Sequence, residues 1–330
     1  MPMRSGTGPI PSHGMVLAPE PSVTGRDGPA REDRAVSTGQ RPLAQVRRRA
    51  ALHALVREWQ AAGQSVSFVP TLGNLHAGHH RLVESARSLA RRTVVSVFVN
   101  PTQFGPGEDF ACYPRTLERD LQELEQLGVD AVYTPGIEDL YPFETVAAVR
   151  VTVPRLSELL CGVSRPGHFD GVAGVVLRLL VAAHPDVALF GEKDYQQCIL
   201  IGRLVADLGL PVRIQRVPTV READGLALSS RNQYLTAAER QRAPELYRTL
   251  MALSRALQSG RRDFPVLEAE AGQRLVDAGF SPEYVVIRTE ESLEPPDPQA
   301  GPGNWRLLAA ARLGGTRLID NLPAHAAGLE

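Results

Sequence analysis

Three of the chain's eight histidines lie within the stretch PTLGNLHAGHH, which runs from residue 70 to residue 80. The apolar run SVSFV precedes this stretch, so the histidines follow a predicted buried strand and open a predicted helix. The N-terminus of a helix offers unpaired N–H groups and a partial positive charge, which suit a phosphate group. Gly73 and Gly78 would let the backbone approach such a ligand closely. Because His76 and His79 are three residues apart, they can face one site.

Two other interpretations of these histidines compete with phosphate binding. A helix cap with incidental surface histidines fits so short a motif equally well. A zinc site is less favoured, because the HxxH spacing of His76 and His79 lacks the HExxH pattern and no Cys or acidic ligand lies nearby in the sequence. Phosphate binding and helix capping therefore both stay open on these residues alone.

Two more segments of the sequence carry residues suited to a nucleotide. In GEKD, Lys193 can reach a phosphate and Asp194 can accept hydrogen bonds from ribose hydroxyls, although an Asp at this position is also a common helix cap. In LSSRN, Ser229 and Ser230 offer hydroxyls and Arg231 offers a guanidinium fork for polyphosphate. A polar loop with a helix cap would give the same LSSRN pattern.

Two neutral amides, Gln103 and Gln197, also follow predicted strands. Amides suit recognition of hydroxyl or carboxylate groups in a small substrate, but ordinary polar surface residues would look the same. The sequence contains neither a GxxxxGK[ST] loop nor a GxGxxG element after a strand, so neither a kinase-type phosphate loop nor that dinucleotide fingerprint is present.

The elements that must position these residues alternate between helix and strand. Helices are predicted over 43–59, 82–89, 117–127, 171–183 and 196–208, and strands over 66–69, 93–99, 131–133, 146–153, 186–190 and 212–217. This succession predicts an α/β fold, a Rossmann-like parallel sheet with helices on both faces. Ligands of such sheets bind beyond the carboxyl ends of the strands. Four polar segments follow predicted strands and should meet there: TLGNLHAGH, NPTQFG, GEKDYQQ and the segment that contains LSSRN.

The rest of the chain differs from this core at both ends. Two long helical patterns, 237–257 and 264–278, and the strand-like runs YVVIR, WRLLAAAR and TRLID predict a smaller C-terminal α+β domain. Residues 1–40 contain no aromatic residue and are rich in Gly, Pro, Ser and Arg, which predicts disorder. The predicted organisation is a disordered extension over 1–40, a Rossmann-like domain over 41–218 and a lid domain over 219–330.

Composition excludes several classes of function. The chain has 330 residues, of which 43% are hydrophobic and 22% charged, as in an ordinary globular protein. Its net charge of -1 gives no basic field for nucleic acid. Its three cysteines are far apart, which fits free thiols in a reducing, cytoplasmic compartment. No apolar run approaches the roughly 18 residues of a membrane span.

Six strings, in order along the chain, carry a resemblance to a known family. They are VPTLGNLHAGH, VFVNPTQFGPGEDFACYPRT, SRPGHFDGVAGVV, DVALFGEKDYQQ, DGLALSSRNQYL and ARLGGTRLIDN. The HAGH element resembles that of the HxGH nucleotidylyl-transferase superfamily, and the six strings together resemble the pantoate–β-alanine ligase family (pantothenate synthetases) over residues 45–321. The resemblance implies a two-step reaction. Pantoate and ATP, with Mg²⁺, would give pantoyl adenylate and pyrophosphate, and β-alanine would then displace AMP to give pantothenate. It also implies a homodimer.

The resemblance further implies a role for individual residues. His79 matches the histidine assigned as proton donor, and His76, Lys193 and Arg231 would act with it. Gln103 and Gln197 would contact pantoate, Gln103 also β-alanine, and Asp120 matches a position associated with the metal. The residues that would contact ATP are Leu72, Gly73, Asn74, Leu75, His76, Ala77, Gly78, His79, Gly191, Glu192, Lys193, Asp194, Val220, Leu228, Ser229, Ser230 and Arg231.

Some positions depart from the family's pattern or match no role. Leu72 stands where the family usually has Met, a swap that preserves volume and is usually mild. Arg119 and Glu123 leave the number of metal-binding carboxylates open beyond Asp120. His80 matches no role and is expected to be an ordinary helix residue. A different adenylylating enzyme and a non-catalytic ligand-binding protein are the alternatives. The near-neutral charge disfavours the first, and the intact HxGH, EKD and SSR elements disfavour the second.

Overall fold

The computed structural model describes residues 42–297 and 304–325, which belong to one compact unit spanning residues 40–330. The predicted disordered extension over 1–40 lies outside the described residues. Among the described helices, none has both the length and the apolar character needed to cross a membrane.

Six strands form a parallel sheet in the first two thirds of the chain. They are β1 (Ala44–Val46), β2 (Val66–Thr71), β3 (Arg92–Val97), β4 (Ala131–Tyr133), β5 (Val187–Gly191) and β6 (Arg213–Val217). Their order in the sheet is β1-β4-β3-β2-β5-β6, and the neighbouring strands pair in parallel. The chain builds outward from β2 in one direction through β3 and β4, and then crosses back to place β5 on the other side. The strand order therefore reverses between β2 and β5, and the segments that leave these two strands lie beside each other.

Ten α-helices accompany the strands in the described part of the chain. They are α1 (Arg49–Ala61), α2 (Ala77–Leu89), α3 (Leu117–Gln126), α4 (Ile137–Leu140), α5 (Cys161–Ser164), α6 (His168–Ala183), α7 (Tyr195–Asp207), α8 (Ala237–Arg242), α9 (Glu245–Gln258) and α10 (Phe264–Asp277). Helices α1, α6 and α7 cover one face of the parallel sheet, and α2 and α3 cover the other.

Alternation along the central strands explains why both faces are covered. Phe68 and Val94 point into the core beneath α1, α6 and α7, whereas Val69 and Val95 point into the core beneath α2 and α3. All four side chains are fully buried. Because neighbouring residues of a strand point to opposite faces, a continuously apolar strand must be covered on both sides. The predicted Rossmann-like α/β class is confirmed.

Two of the predicted elements are wrong. The predicted helix over 43–59 begins only at Arg49, because residues 44–46 form strand β1, which pairs with β4 at the edge of the sheet. The predicted strand over 146–153 does not form, and Val146 and Val149 are each 78% exposed. A β-favouring composition makes a strand only where a partner strand lies beside it, and this segment has none within the chain's described sheets.

The C-terminal part contains a second sheet, which is antiparallel. Strands β7 (Ser281–Thr289), β8 (Trp305–Leu313) and β9 (Thr316–Pro323) lie in the order β7-β8-β9. One face packs on α9 and α10 around Leu250 and Leu275, and the other packs Val286 and Leu308 into the core beneath α1, α6 and α7. The expected α+β character is confirmed. The predicted single helix over 237–257 is instead α8 and α9, which are separated at Pro244, a residue without an N–H to donate.

The domain boundary expected near residues 218–225 stays a prediction. The parallel sheet ends at Val217 and the antiparallel sheet begins at Ser281, so each sheet lies on one side of the expected boundary. The described residues on both sides nevertheless belong to one compact unit.

Candidate active site

A cavity of about 240 Å³ lies at the carboxyl ends of β2, β3, β5 and β6. The predicted site residues that line it are Leu72, His76, Gly78, His79, Gln103, Gly191, Lys193, Asp194, Gln197, Val220, Leu228, Ser229, Ser230 and Arg231. The other predicted residues, Gly73, Asn74, Leu75, Ala77, Glu192 and Asp120, are not part of its lining. All four polar segments singled out in the sequence thus meet at one place, as the parallel topology requires.

The loop between β2 and α2 is held from below by a buried carboxylate. Asp120, on α3, is completely buried, and it accepts hydrogen bonds from the N–H of Asn74 at 2.9 Å and of Leu75 at 3.0 Å. The hydroxyl of Thr116 lies 3.1 Å from both of its oxygens. Gly73 has a φ of +83°, and a Cβ there would stand 3.0 Å from the Asp120 carboxylate. The close approach of loop and carboxylate therefore needs a glycine.

The metal role expected of Asp120 stays a prediction, and this geometry gives the carboxylate a structural role. Both of its oxygens are engaged inside the protein and it does not line the cavity. Its carboxylate instead gives the β2–α2 loop its shape. The neighbouring Arg119 donates to the side chain of Asn74 at 2.8 Å, and Glu123 pairs with His80 at 2.8 Å. Within residues 42–297 and 304–325, no cluster of three or more His, Cys, Asp or Glu side chains could hold a metal ion.

The HAGH element is a helix cap that also presents a ligand site. His76 is the N-cap of α2, and its Nδ1 accepts a hydrogen bond from the N–H of Gly78 at 3.1 Å. A Cβ at Gly78 would lie 2.9 Å from the His76 ring, so this fold-back of the ring requires glycine. Because Nδ1 accepts, the ring proton is on Nε2. The rings of His76 and His79 lie 4.1 Å apart, centroid to centroid, and both line the cavity. The capping interpretation holds for His76, without excluding a ligand.

The two histidines are neutral in the free protein. Burial, followed by the charge of Lys193, lowers the pKa of His76 to about 4. Burial, followed by the influence of His76, lowers the pKa of His79 to about 3. At neutral pH these two rings therefore add no positive charge to the site. Lys193, Arg231 and the N-terminal end of α2 supply it instead. His80 turns away and contacts α3 through Glu123, as expected of a residue without a site role.

The NPTQ segment after β3 is built around a buried amide. Asn100 is completely buried, and its Oδ1 accepts from the hydroxyls of Thr102 at 3.1 Å and Tyr141 at 2.9 Å. Its Nδ2 donates to the Gly171 carbonyl and to Oε1 of Gln103, each at 3.2 Å. The Gln103 amide is thus held by its oxygen, which leaves its NH₂ end to donate to a ligand in the cavity.

A charged cluster beside Gln103 contains residues to which the sequence assigns no role. Arg165 binds Glu108 with two hydrogen bonds of 2.6 Å and lies 2.9 Å from Nε2 of His168. The Nδ1 of His168 donates to the Gln103 carbonyl at 2.7 Å. Burial, then the charge of Arg165, lowers the pKa of His168 to about 4. Burial opposes ionisation of Glu108, but the Arg165 hydrogen bonds prevail and lower its pKa to about 2. Arg165 and His168 line the cavity, and their signal in the sequence was an Arg and a His three residues apart before an apolar helix.

The GEKD segment forms a tight 3-10 turn, Glu192–Asp194, between β5 and α7. Lys193 and Asp194 line the cavity, and Asp194 makes no side-chain cap to α7, so its carboxylate is not used as a helix cap. Glu192 points elsewhere, since its carboxylate lies 3.2 Å from Arg306 on β8. Lys193 and Asp194 are therefore the residues of EKD that face the cavity.

The LSSR segment closes the opposite side of the cavity. Leu228 donates its N–H to the Val220 carbonyl at 3.0 Å, which makes a narrow hairpin of the two predicted contact positions. The Ser230 hydroxyl lies 3.4 Å from the Asn74 carbonyl on the β2–α2 loop. Arg231 pairs with Asp109 at 2.8 Å, and the other oxygen of Asp109 is buried without a hydrogen-bond partner among the described residues. A loop that follows β3 thus holds the guanidinium in place.

Comparisons with known proteins agree with this arrangement. The model of a family described as pantoate-beta-alanine ligase matches residues 44–323. A pantothenate synthetase of Halorhodospira halophila is 53% identical over 284 residues, which cover 86% of this chain and 99% of the relative. The crystal structure of pantothenate synthetase from Thermus thermophilus superposes with a TM-score of 0.79 at 44% identity, covering 86% of this chain and 100% of that one. A pantoate-beta-alanine ligase from Francisella tularensis, complexed with beta-gamma ATP and beta-alanine, gives a TM-score of 0.71 at 32% identity, covering 86% of this chain and 99% of that one.

The role of Asp120 can be tested by Asp120→Asn. The amide keeps the size of the carboxylate but leaves at least one of the two loop N–H groups without an acceptor. We expect the free energy of unfolding in urea to fall by about 2–3 kcal/mol. The concentration of Mg²⁺ that half-saturates the ATP-dependent reaction should not change. Glu118→Gln, at an exposed position in the first turn of the same helix, is the control. An increased Mg²⁺ requirement at unchanged stability would restore the metal role.

The lowered histidine pKa values predict a pH dependence of stability. His76, His79 and His168 stay neutral in the folded chain down to about pH 4, whereas the unfolded chain binds protons at these residues from about pH 6.5 downward. Stability should therefore be full above about pH 6.5 and should fall as the pH falls toward 4. The measurement is the urea midpoint between about pH 7.5 and pH 4.5, and His168→Asn should flatten the curve. A midpoint that rises as the pH falls through this window would contradict the neutral state of these rings.

Proposed function

This chain belongs to the pantoate–β-alanine ligase family, and from that membership we propose which of its residues bind each substrate and how the reaction runs. The chain is a ligase that uses ATP to condense pantoate with β-alanine. The observation that carries the assignment of residues is the meeting of the HAGH, NPTQ, GEKD and LSSR segments around one cavity. Each segment supplies the polar groups that one part of the reaction needs.

The ATP phosphates lie between Lys193 and Arg231, against the N-terminal end of α2. Lys193 and Arg231 line the same cavity from the β5 side and the LSSR side, and both carry a full positive charge. His76 and His79 are neutral, so they act as hydrogen-bond donors to phosphate oxygen rather than as cations. A neutral donor strengthens its contact as negative charge grows on the phosphate in the transition state.

The first step needs positioning rather than a strong base. The carboxylate of pantoate is ionised at neutral pH, so one of its oxygens attacks the α-phosphorus of ATP directly, and the bond to pyrophosphate breaks. Gln103 and Gln197 hold the hydroxyls and carboxylate of pantoate, from the turn after β3 and from the first turn of α7. The Gln103 amide is oriented for this by Asn100 before the substrate arrives. The products of this step are pantoyl adenylate and pyrophosphate.

In the second step the neutral amine of β-alanine attacks the acyl carbon of the adenylate. The new C–N bond replaces the bond to AMP, one proton leaves the nitrogen, and pantothenate and AMP are released. The NH₂ of Gln103 also orients β-alanine for this attack. The adenylate must be protected from water while it waits for β-alanine. The part of the chain over 219–330 serves as its cover, in support of which Ser230 reaches the β2–α2 loop and Arg231 reaches Asp109.

Mg²⁺ accompanies ATP in this proposal, and the acidic residues of the site fit a weakly held ion. Asp109 has a buried oxygen without a hydrogen-bond partner among the described residues, and Asp194 lines the cavity. Mg²⁺ in nucleotide sites is held mainly by phosphate oxygens and water, with one or two carboxylates. Asp109 and Asp194 would hold the ion, and when bound it would neutralise charge on the phosphates.

The protein acts as a cytoplasmic homodimer. Its three cysteines are free thiols, which fits a reducing compartment. Phe143, Val146 and Val149 are each 78% exposed in a segment whose sequence favours a strand but which pairs with no other described segment. A second copy of the chain would cover these apolar side chains.

The catalytic assignment is tested by His79→Ala, with His80→Ala as the matched control on the next residue. His79 lines the cavity, whereas His80 pairs with Glu123 outside it. We expect His79→Ala to lower pantoate-dependent pyrophosphate release by about 100-fold or more, because a donor to the reacting phosphate is lost. His80→Ala should stay within about threefold of the parent, because it removes only a partly exposed contact with Glu123.

The assay is run with pantoate and β-alanine each left out in turn. Pyrophosphate release must depend on pantoate and must precede the need for β-alanine. Equal turnover in the two histidine variants would remove His79 from the catalytic residues. Release that does not depend on pantoate would overturn the order of steps.

The dimer proposal is tested by Val149→Asp, since a charge cannot be buried in an apolar interface without a partner. We expect light scattering to report a dimer for the parent and a monomer for the variant at micromolar concentration. Val163→Asp is the matched control, because Val163 is 72% exposed and lies in α5, outside the segment that contains Phe143, Val146 and Val149. A monomeric parent would contradict the dimer itself. A dimer that survives Val149→Asp but not Val163→Asp would place the interface elsewhere on the chain.

A further inference from the structure

Two adjacent residues of β9, Asp320 and Asn321, are buried polar groups with no role in the reaction as described above. Their exposed fractions are 4% and 3%. Neighbouring residues of a strand point to opposite faces of the sheet. Asp320 lies opposite Ala309, on the face toward α9 and α10, and Asn321 lies opposite Leu308, on the face toward the parallel sheet. One strand therefore sends two polar side chains in two directions.

Asn321 binds the turn that presents Lys193. Its Nδ2 donates to the carbonyls of Glu192 at 2.8 Å and Lys193 at 3.0 Å, and its Oδ1 accepts from Nε of Arg306 at 2.8 Å. All three polar positions of the amide are thus used, so the side chain can take one orientation only. Arg306 lies 4.1 Å from the centre of the Tyr195 ring and 3.2 Å from the Glu192 carboxylate, which closes the network around the turn.

Asp320 binds the hairpin that presents the LSSR segment. Its two oxygens accept from the guanidinium of Arg221 at 2.7 and 2.8 Å. Arg221 also donates to the Gly225 carbonyl at 3.0 Å and lies 4.5 Å above the Tyr247 ring. The backbone of Arg221 pairs with Ala227, next to the hydrogen bond between Leu228 and Val220. The ion pair therefore fixes the base of the hairpin from which Ser229 and Arg231 extend.

We propose that Asp320 and Asn321 are positioning residues for ATP, which together set the spacing across the cavity between Lys193 and Arg231. The inference rests on the proposed placement of the ATP phosphates between these two cations. Neither Asp320 nor Asn321 lines the cavity at the carboxyl ends of the parallel strands, although Asp320 lines an adjoining cavity with Lys193 and Arg231. Asp320 and Asn321 act through the backbone of the two segments that line the cavity at the strand ends. Because both extend from one strand, the two cations share one rigid reference.

Asn321 would affect ATP binding because a small displacement of the Lys193 charge is costly. If the donors of Asn321 are lost, two partly buried carbonyls lose their partners and the turn relaxes toward other donors. A shift of about 1 Å at Lys193 weakens its contact with a phosphate and misaligns an in-line attack. Binding of ATP should weaken, while recognition of β-alanine, which Gln103 provides from the turn after β3, should not.

The test is a double-mutant cycle between Asn321→Asp and Lys193→Ala. Asn321→Asp keeps the shape and the oxygen that Arg306 binds, but removes the two donors to the turn. The readout is the Kd of a non-hydrolysable ATP analogue, measured by calorimetry on the full chain. We expect Asn321→Asp to weaken binding about tenfold in the parent, but less than about twofold when Lys193 is already Ala.

Ser254→Ala controls for stability. Ser254 is completely buried in the C-terminal part and donates one hydrogen bond of 2.8 Å to the Ala324 carbonyl, away from the cavity. The Ser254→Ala substitution should lower the melting temperature without changing the Kd of the ATP analogue. Asn321→Ala, which also removes the donors, takes the place of Asn321→Asp if the aspartate variant does not fold. The KM for β-alanine should stay within about twofold in every Asn321 variant.

The other half of the proposal is tested in the same way, with Asp320→Asn in the parent and in an Arg231→Ala background. Equal loss of affinity in both backgrounds, or no loss in the parent, would overturn the positioning role of the residue concerned. If Lys193→Ala and Arg231→Ala alone bind the analogue as tightly as the parent, the proposed placement of the phosphates fails instead, and the inference fails with it. The two kinds of failure are therefore distinguishable.

Discussion

The reversal of strand order between β2 and β5 is the constraint on which the rest of this structure depends. Parallel strands put all their carboxyl ends at one edge, and the reversal makes the chain leave β2 and β5 in opposite directions, which opens a crevice between them. The helix that begins at Ala77 and the turn around Lys193 face each other across that crevice. The fold supplies the position of the site, and the loops after β3 and β6 complete it with an oriented amide and a guanidinium.

Within this crevice the protein separates its charges from its neutral donors. Burial, with the charge of Lys193, lowers the pKa of both His76 and His79 and keeps them neutral, so the fixed positive charge is confined to the two sides of the cavity. Buried or partly buried carboxylates hold the segments around the cavity in place. Asp120 shapes the β2–α2 loop, Glu108 holds Arg165, and Asp320 holds Arg221. Each of these carboxylates is hydrogen-bonded, which offsets much of the cost of burying a charge.

Much of the fold and of the site could be predicted from the sequence, because the signals were local. The apolar runs of β2, β3 and β5 and the two glycines of PTLGNLHAGHH predict strand, turn and helix in succession. The failures were of another kind. Residues 44–46 form a strand because β4 lies beside them, whereas residues 146–153 have no such partner in the described sheets. The residues next to a segment in the sequence do not reveal whether a partner strand will lie beside it in space. The structural role of Asp120 depends on Asn74 and Leu75, which are 46 and 45 residues away, and that of Asn321 on a turn about 130 residues away. Contacts at such separations leave no periodicity in the sequence.

The central claim is that the cavity joins pantoate to AMP before β-alanine enters. It is tested most directly by following the carboxylate oxygens of pantoate. If pantoate labelled with ¹⁸O in its carboxylate is converted with unlabelled ATP and β-alanine, the attacking oxygen stays on phosphorus when the C–O bond of the adenylate breaks. The account predicts one ¹⁸O atom in the AMP and none in the pyrophosphate, as measured by mass spectrometry. Label that appears in pyrophosphate or inorganic phosphate, or AMP that carries none, would contradict it.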